Sequence, residues 1–161
     1  MLYLIERAVP AGVHRALLRL AYRLRHRFRG IARPRLRGVA VIVRDEAERV
    51  LLVRHSYGSG YWSLPGGGCG RREAPEAAAR REMREELALD LDAMELVSTM
   101  EEEISGAPHT AFVFAARAVG EPRPDGREIV AAGFYAERDI PQPLSPISAR
   151  RLVAWWARRA V

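Results

Sequence analysis

The stretch that most constrains this chain runs from Gly66 to Leu89 and reads GGGCGRREAPEAAARREMREELAL. Pro75 suits the first position of a helix, where its missing N–H leaves nothing unpaired. Ala77, Ala78, Ala79, Met83 and Leu87 are good helix formers. At about 100° per residue, Glu82, Glu85 and Glu86 share one stripe roughly 100° wide. Ala79, Met83 and Leu87 occupy the adjoining stripe, which asks for a core to pack on. The acidic stripe repels itself, at a few tenths of a kcal/mol per pair at helical spacing. Arg81 offsets part of this through Glu85. A hard divalent cation would remove the rest, because Mg²⁺ takes oxygen ligands and keeps waters and substrate phosphates in its shell. A solvated acidic face laced with arginine pairs is the other reading of a lone ExxEE.

What precedes the helix separates the two readings. Gly66, Gly67 and Gly68 leave backbone groups open to a ligand. From Gly67 the order is five residues, Glu73, seven residues, Arg81, Glu82, the apolar Met83, one residue, Glu85, Glu86, one residue, Ala88 and Leu89. This pattern resembles the Nudix box over its full length. One fixed position departs: Ala88 stands where the family usually has glycine. That glycine lets the helix end in a left-handed turn, so a different helix end is expected here. The resemblance continues in LLVRHSYGSGYWSLPGGG before the box and in EIVAAGFYAERDIPQPLSP after it, covering about residues 37–147.

The resemblance implies an α/β fold, a three-layer α/β/α sandwich with a curved mixed sheet. It implies hydrolysis of a pyrophosphate bond in a nucleoside diphosphate linked to another moiety, such as a nucleoside triphosphate or a sugar nucleotide, with Mg²⁺ or Mn²⁺. Glu82, Glu85, Glu86 and the Gly67 carbonyl match the metal-binding positions. Arg81 matches the arginine that orients the glutamates, and Glu73 the residue that supports the loop. The family's catalytic base often precedes an aromatic of the closing segment by three residues. Here that aromatic is Phe134 and the position holds Ala131, so the usual candidate is missing. Glu128 lies three residues earlier. Glu101 and Glu103 are the rivals, on one face if the strand after the helix continues through them. The surrounding REIV and FYAERDIP favour Glu128. Catalysis is therefore expected from Glu82, Glu85, Glu128 and Arg81.

Substrate contacts are read from type and place. Tyr57, Tyr61 and Trp62 border the glycines and are suited to stacking on a base or sugar, with burial in the core as the rival use of Trp62. Arg54 is suited to a phosphate. His55 and His109 have no partner at metal-ligand spacing and read as structural. Two other functions fit the same pattern: an RNA 5′-end pyrophosphohydrolase, and a nucleotide-binding regulatory module without catalysis.

Charge divides the chain. Residues 1–37 hold ten arginines and one acid, whereas residues 38–161 hold sixteen arginines and nineteen acids. Within the arm, Val13, Leu17, Leu20 and Leu24 recur at helical spacing opposite Arg15, Arg19, Arg23 and Arg27, an amphipathic basic helix. We divide the chain into this arm with its linker, residues 1–36, and a hydrolase domain, residues 37–161. Residues 1–30 suit packing on the body or in a homodimer, an anionic membrane surface, or RNA. Arginines interrupt every apolar run short of the roughly 20 residues a membrane span needs. Cys69 is the single cysteine, so no internal disulfide forms, which suits the reducing cytoplasm. Strands are expected at Val39–Val43, Val50–Arg54, Met94–Met100, Thr110–Ala118 and Ile129–Ala136, and a last helix at Ser148–Ala160.

Overall fold

The computed structural model describes residues 33–159. The basic arm, and the helix expected within it, lie outside the described residues. Seven strands and two helices follow one another: β1 (Leu36–Arg44), β2 (Val50–His55), β3 (Trp62–Ser63), β4 (Gly66–Gly68), α1 (Pro75–Leu87), β5 (Asp90–Ile104), β6 (Ala107–Val119), β7 (Ile129–Tyr135) and α2 (Pro146–Arg159). The sheet is mixed and runs β3-β2-β1-β6-β5, with β4 also paired to β1 and β7 to β2. Among the described strands, only β1 and β6 run parallel, in register from Leu36 with His109 to Arg44 with Arg117. That pairing carries β1 three residues further towards the N-terminus than its apolar run.

Alternation on the central strands sorts side chains into two cores. Val39, Val41 and Val43 of β1, Leu51 and Val53 of β2, and Phe114 and Ala116 of β6 meet Ala78, Ala79, Met83 and Leu87 of α1. Ile42, Val50, Leu52, Val113 and Ala115 meet Leu152 and Trp155 of α2 on the opposite face. Strands covered on both faces read as unbroken apolar runs, which is how VAVIV and VLLV appear in the sequence. The result is the expected three-layer α/β/α sandwich.

Three local outcomes bear on the site. The glycines are not a loop: Gly66, Gly67 and Gly68 form β4, antiparallel to Ala40, Val39 and Gly38. The helix end keeps its left-handed turn without glycine. Ala88 sits at φ 48°, ψ 37°, its N–H donates to the Arg84 carbonyl, and Leu89 N–H donates to the Met83 carbonyl. The expected change of helix end is therefore absent, and the chain instead holds an alanine in a conformation that costs it about 1 kcal/mol or more. The strand after α1 is also longer than Met94–Met100. β5 continues through Glu101, Glu102 and Glu103 because β6 pairs with it down to Ile104. Among the described residues it is the last strand in the order, and acidic side chains at such an edge discourage unwanted pairing. No helix among the described residues is long and apolar enough to cross a membrane.

Candidate active site

The site is built where β4 meets α1. Gly67 lacks a side chain because Glu82 needs that space: a Cβ there would stand 2.5 and 2.6 Å from the Glu82 carboxylate oxygens. Real Cβ atoms do not come so close, so this position takes only glycine while Glu82 stays where it is. Arg81 ties the site together. Its Nε donates to Glu73 Oε1 at 2.9 Å, one terminal nitrogen donates to Glu82 Oε1 at 2.9 Å and Glu85 Oε2 at 3.1 Å, and the other donates to the Gly68 carbonyl at 3.0 Å. Glu73 in turn accepts the Gly70 N–H at 2.9 Å. The Arg81 and Gly70 bonds hold the Glu73 carboxyl below its ordinary range, and Glu73 in turn makes the Arg81 proton harder to remove. The loop that enters α1 is thereby fixed to the helix it enters.

Glu86 lies deeper, on the side of α1 facing the closing segment. It is buried, and its Oε2 has no hydrogen-bond partner among the described residues. Burial, then the carboxylates of Glu82, Glu128, Asp125 and Glu85, push its carboxyl up to about 9. Burial also raises Glu82, against the pull of Arg81. Hence Glu128 reaches the box glutamates through space, as does Asp125, which the sequence did not single out. Glu101 and Glu103 do not belong to this cluster: Glu101 accepts from Thr110 and Glu103 from Arg33.

The segment carrying Glu128 is itself tied to α1. Arg123 N–H and Asp125 N–H donate to the carbonyls of Leu87 and Glu86. Asp125 Oδ1 accepts the N–H groups of Arg127, Glu128 and Ile129 at 2.9 to 3.0 Å. Tyr57 O–H donates to Glu128 Oε2 at 3.1 Å, and Ser56 N–H to the Glu128 carbonyl. Five carboxylates, two from outside the helix, therefore gather around the buried turn of α1. No three of them stand as a ready-made ligand set among the described residues. Hard oxygen donors around an unpartnered buried carboxylate oxygen are nonetheless the donor type a divalent cation requires.

Comparison with known proteins agrees with this geometry. The sequence matches the NUDIX domain over residues 34–156. The chain belongs to the Nudix hydrolase family. No curated protein sequence matches it. Among solved structures, the MutT NUDIX hydrolase from Burkholderia pseudomallei is 29% identical, with 74% of this chain and 97% of that one covered and a TM-score of 0.68. The Escherichia coli ORF135 protein is 26% identical, with 80% and 94% covered and a TM-score of 0.69. An ADP-ribose pyrophosphatase from Streptococcus suis is 26% identical, with 73% and 87% covered and a TM-score of 0.60. This Nudix hydrolase is thus an enzyme of pyrophosphate bonds, in a family that generally uses divalent metals.

A cleft of about 380 Å³ opens beside β4. Tyr57 lines it together with His55, Ser63, Gly67, His109 and Arg151. Burial holds the His55 imidazole below its ordinary range, against the opposing pull of Asp125. The other residues singled out as substrate contacts do not line this cleft. Arg54 stacks over the Trp62 ring at 5.6 Å, Trp62 meets Tyr135 edge-on at 5.4 Å, and Tyr61 is exposed. The sequence missed Asp125, Glu102 and Arg151. For Asp125 a signal was present, since PDG before a strand places an aspartate where it can cap the turn that follows. For Arg151 there was none, since an arginine on an amphipathic helix carries no mark of burial.

Proposed function

We propose that this Nudix hydrolase cleaves the pyrophosphate bond of a nucleoside diphosphate linked to another moiety, a nucleoside triphosphate or sugar nucleotide, with Mg²⁺ or Mn²⁺. Glu82, Glu85, Glu86 and the Gly67 carbonyl would hold the metal. An ion bound there would neutralise the phosphates and acidify a water. Arg81 orients Glu82 and Glu85 and keeps their repulsion in check before the ion binds. Glu128 is assigned as the general base: Tyr57 fixes one of its oxygens, and the other is left to take the proton of the attacking water. Burial of Glu86 strengthens the charge interactions made with it.

The observation that carries this reading is the gathering of Glu82, Glu85, Glu128 and Asp125 around the buried Glu86 carboxylate, one oxygen of which has no hydrogen-bond partner among the described residues. Such an arrangement is unfavourable without a cation, so it needs a reason outside the fold. The test is phosphate release over nucleoside triphosphates, sugar nucleotides, dinucleotides and capped RNA with Mg²⁺ or Mn²⁺. Glu128→Gln should lower turnover by roughly 10² to 10⁴ on any substrate found, and should remove the acidic limb of its pH profile. Unaltered turnover in this variant would move the base to Glu82 or Glu85.

A further inference from the structure

The cleft has a second polar end that the pyrophosphate chemistry leaves unused. Glu102 of β5 points inward with its side chain only 4% exposed. Its Oε2 accepts from an Arg151 terminal nitrogen at 2.5 Å and lies 3.6 Å from His109 Nδ1. Arg151, near the start of α2, has a side chain 9% exposed. Arg150 approaches Glu102 Oε1 only to 3.9 Å, from a largely exposed position. Arg151 and His109 line the cleft whose other wall is β4, and so does Ser63. Arg151 Nε, Glu102 Oε1 and Ser63 Oγ are all buried without a hydrogen-bond partner among the described residues.

Buried polar atoms are nearly always paired, so these three mark incomplete polar packing beside the cleft, which Arg151 and Ser63 line and Glu102 backs. An ion pair buried between helix and sheet adds little as a fastener, because desolvation offsets the attraction. The cleft is large enough for a ligand, at the lower end of the usual range of about 300 to 1,000 Å³. Charge selects among ligands. Arg151 only donates, and its charge already faces the Glu102 carboxylate. An anion would have to compete with Glu102, whereas a neutral acceptor gains a charge-assisted bond without adding a buried charge. On a nucleoside pyrophosphate, the neutral acceptors farthest from the phosphates are on the base, and the position that separates the bases is the 6-carbonyl of guanine or 4-carbonyl of uracil, which adenine and cytosine replace by an amino group.

We propose that this end of the cleft reads the base, with Arg151, braced by Glu102 and flanked by His109, donating to a ring carbonyl. The enzyme then selects keto bases, guanine and uracil, over amino bases, adenine and cytosine. The reason is chemical: guanine and uracil present an oxygen acceptor where adenine and cytosine present an amino donor, which a guanidinium cannot accept. The proposal rests on the reading of the chain as a nucleotide pyrophosphohydrolase. A contact of this kind is worth about 10- to 100-fold in discrimination.

The experiment has two arms. The first compares kcat/KM for GTP, UTP, ATP and CTP with Mg²⁺. The second measures equilibrium binding of the four nucleoside monophosphates, which contain no pyrophosphate to cleave. The native enzyme should favour guanine and uracil at least 10-fold in both. Two variants avoid stranding a buried carboxylate: Arg151→Lys, which keeps a charge opposite Glu102, and the double change Arg151→Met with Glu102→Gln. Thermal melts establish that each folds. Both should bring the keto-to-amino ratio towards one, chiefly through a raised KM for the keto substrates. Absence of keto preference in binding, or an equal loss for all four bases in the variants, overturns the subsite. Keto-selective binding with no hydrolysis of any triphosphate, sugar nucleotide, dinucleotide or capped RNA keeps the subsite and removes the pyrophosphohydrolase reading.

Discussion

Replacing Glu86 by glutamine should make the metal-free protein more stable and the enzyme nearly inactive. The side chain is buried among other carboxylates, and its carboxyl is pushed up from 4.5 to about 9. A carboxyl raised by folding binds its proton more tightly in the folded state than in the unfolded one. Its stabilising effect is therefore fully present below about pH 4.5 and is lost progressively as pH rises to about 9. From pH 4.5 to 7 this spans about 2.5 pH units at about 1.4 kcal/mol each, or roughly 3 kcal/mol. Glutamine escapes that loss but buries an amide whose N–H groups need partners, which returns a part of it. A net gain of about 1–2 kcal/mol corresponds to roughly 3–6 °C in Tm for a chain of this size. Thermal melts in EDTA over pH 4.5 to 8 should show the variant ahead of native at neutral pH and the two converging in acid. If Glu86 holds the metal as proposed, adding Mg²⁺ should reverse the order, and at a hundred times Kd the gain for the native protein would be about 3 kcal/mol. Turnover should fall by roughly 10²-fold or more. A variant less stable than native in EDTA at pH 7, or one that Mg²⁺ stabilises as much as native, would refute the reasoning.

Three further outcomes follow from the geometry. Ala88→Gly should raise Tm by a few degrees without altering turnover, because Ala88 occupies the left-handed region and glycine relieves about 1 kcal/mol there; a lower Tm would mean the turn is held by something other than that strain. Gly67→Ala should displace the Glu82 carboxylate and lower turnover by roughly 10-fold or more, with little change in Tm because a carboxylate end can swing away; turnover equal to native would show that Glu82 need not sit against β4. Asp125→Ala should remove the acceptor shared by three backbone N–H groups beside Glu128 and lower kcat more than it raises KM, whereas Asp125→Asn, which keeps one acceptor oxygen, should recover most of the loss; equal kinetics for the two variants would deny Asp125 a positioning role.

By itself the sequence determined the parts whose cause is local. Residues three and four apart share a helix face whatever surrounds them, so the acidic and apolar stripes of α1 were legible, and the box spacing carried Gly67, Glu73, Arg81 and the glutamates with it. The apolar runs of β1 and β2 announced strands covered on both faces. Tertiary structure decided everything that depends on which segments meet. Gly66–Gly68 became a strand only because β1 offered its edge, and the reason for Gly67 is a carboxylate fifteen residues away. Glu101, Glu102 and Glu103 joined β5 because β6 pairs that far. Asp125 and Glu128 entered the carboxylate cluster through backbone bonds to the last turn of α1. Glu102 and Arg151 are 49 residues apart, and each alone looks like a surface charge. Burial and pairing arise from packing between distant segments, and a local pattern holds no record of them.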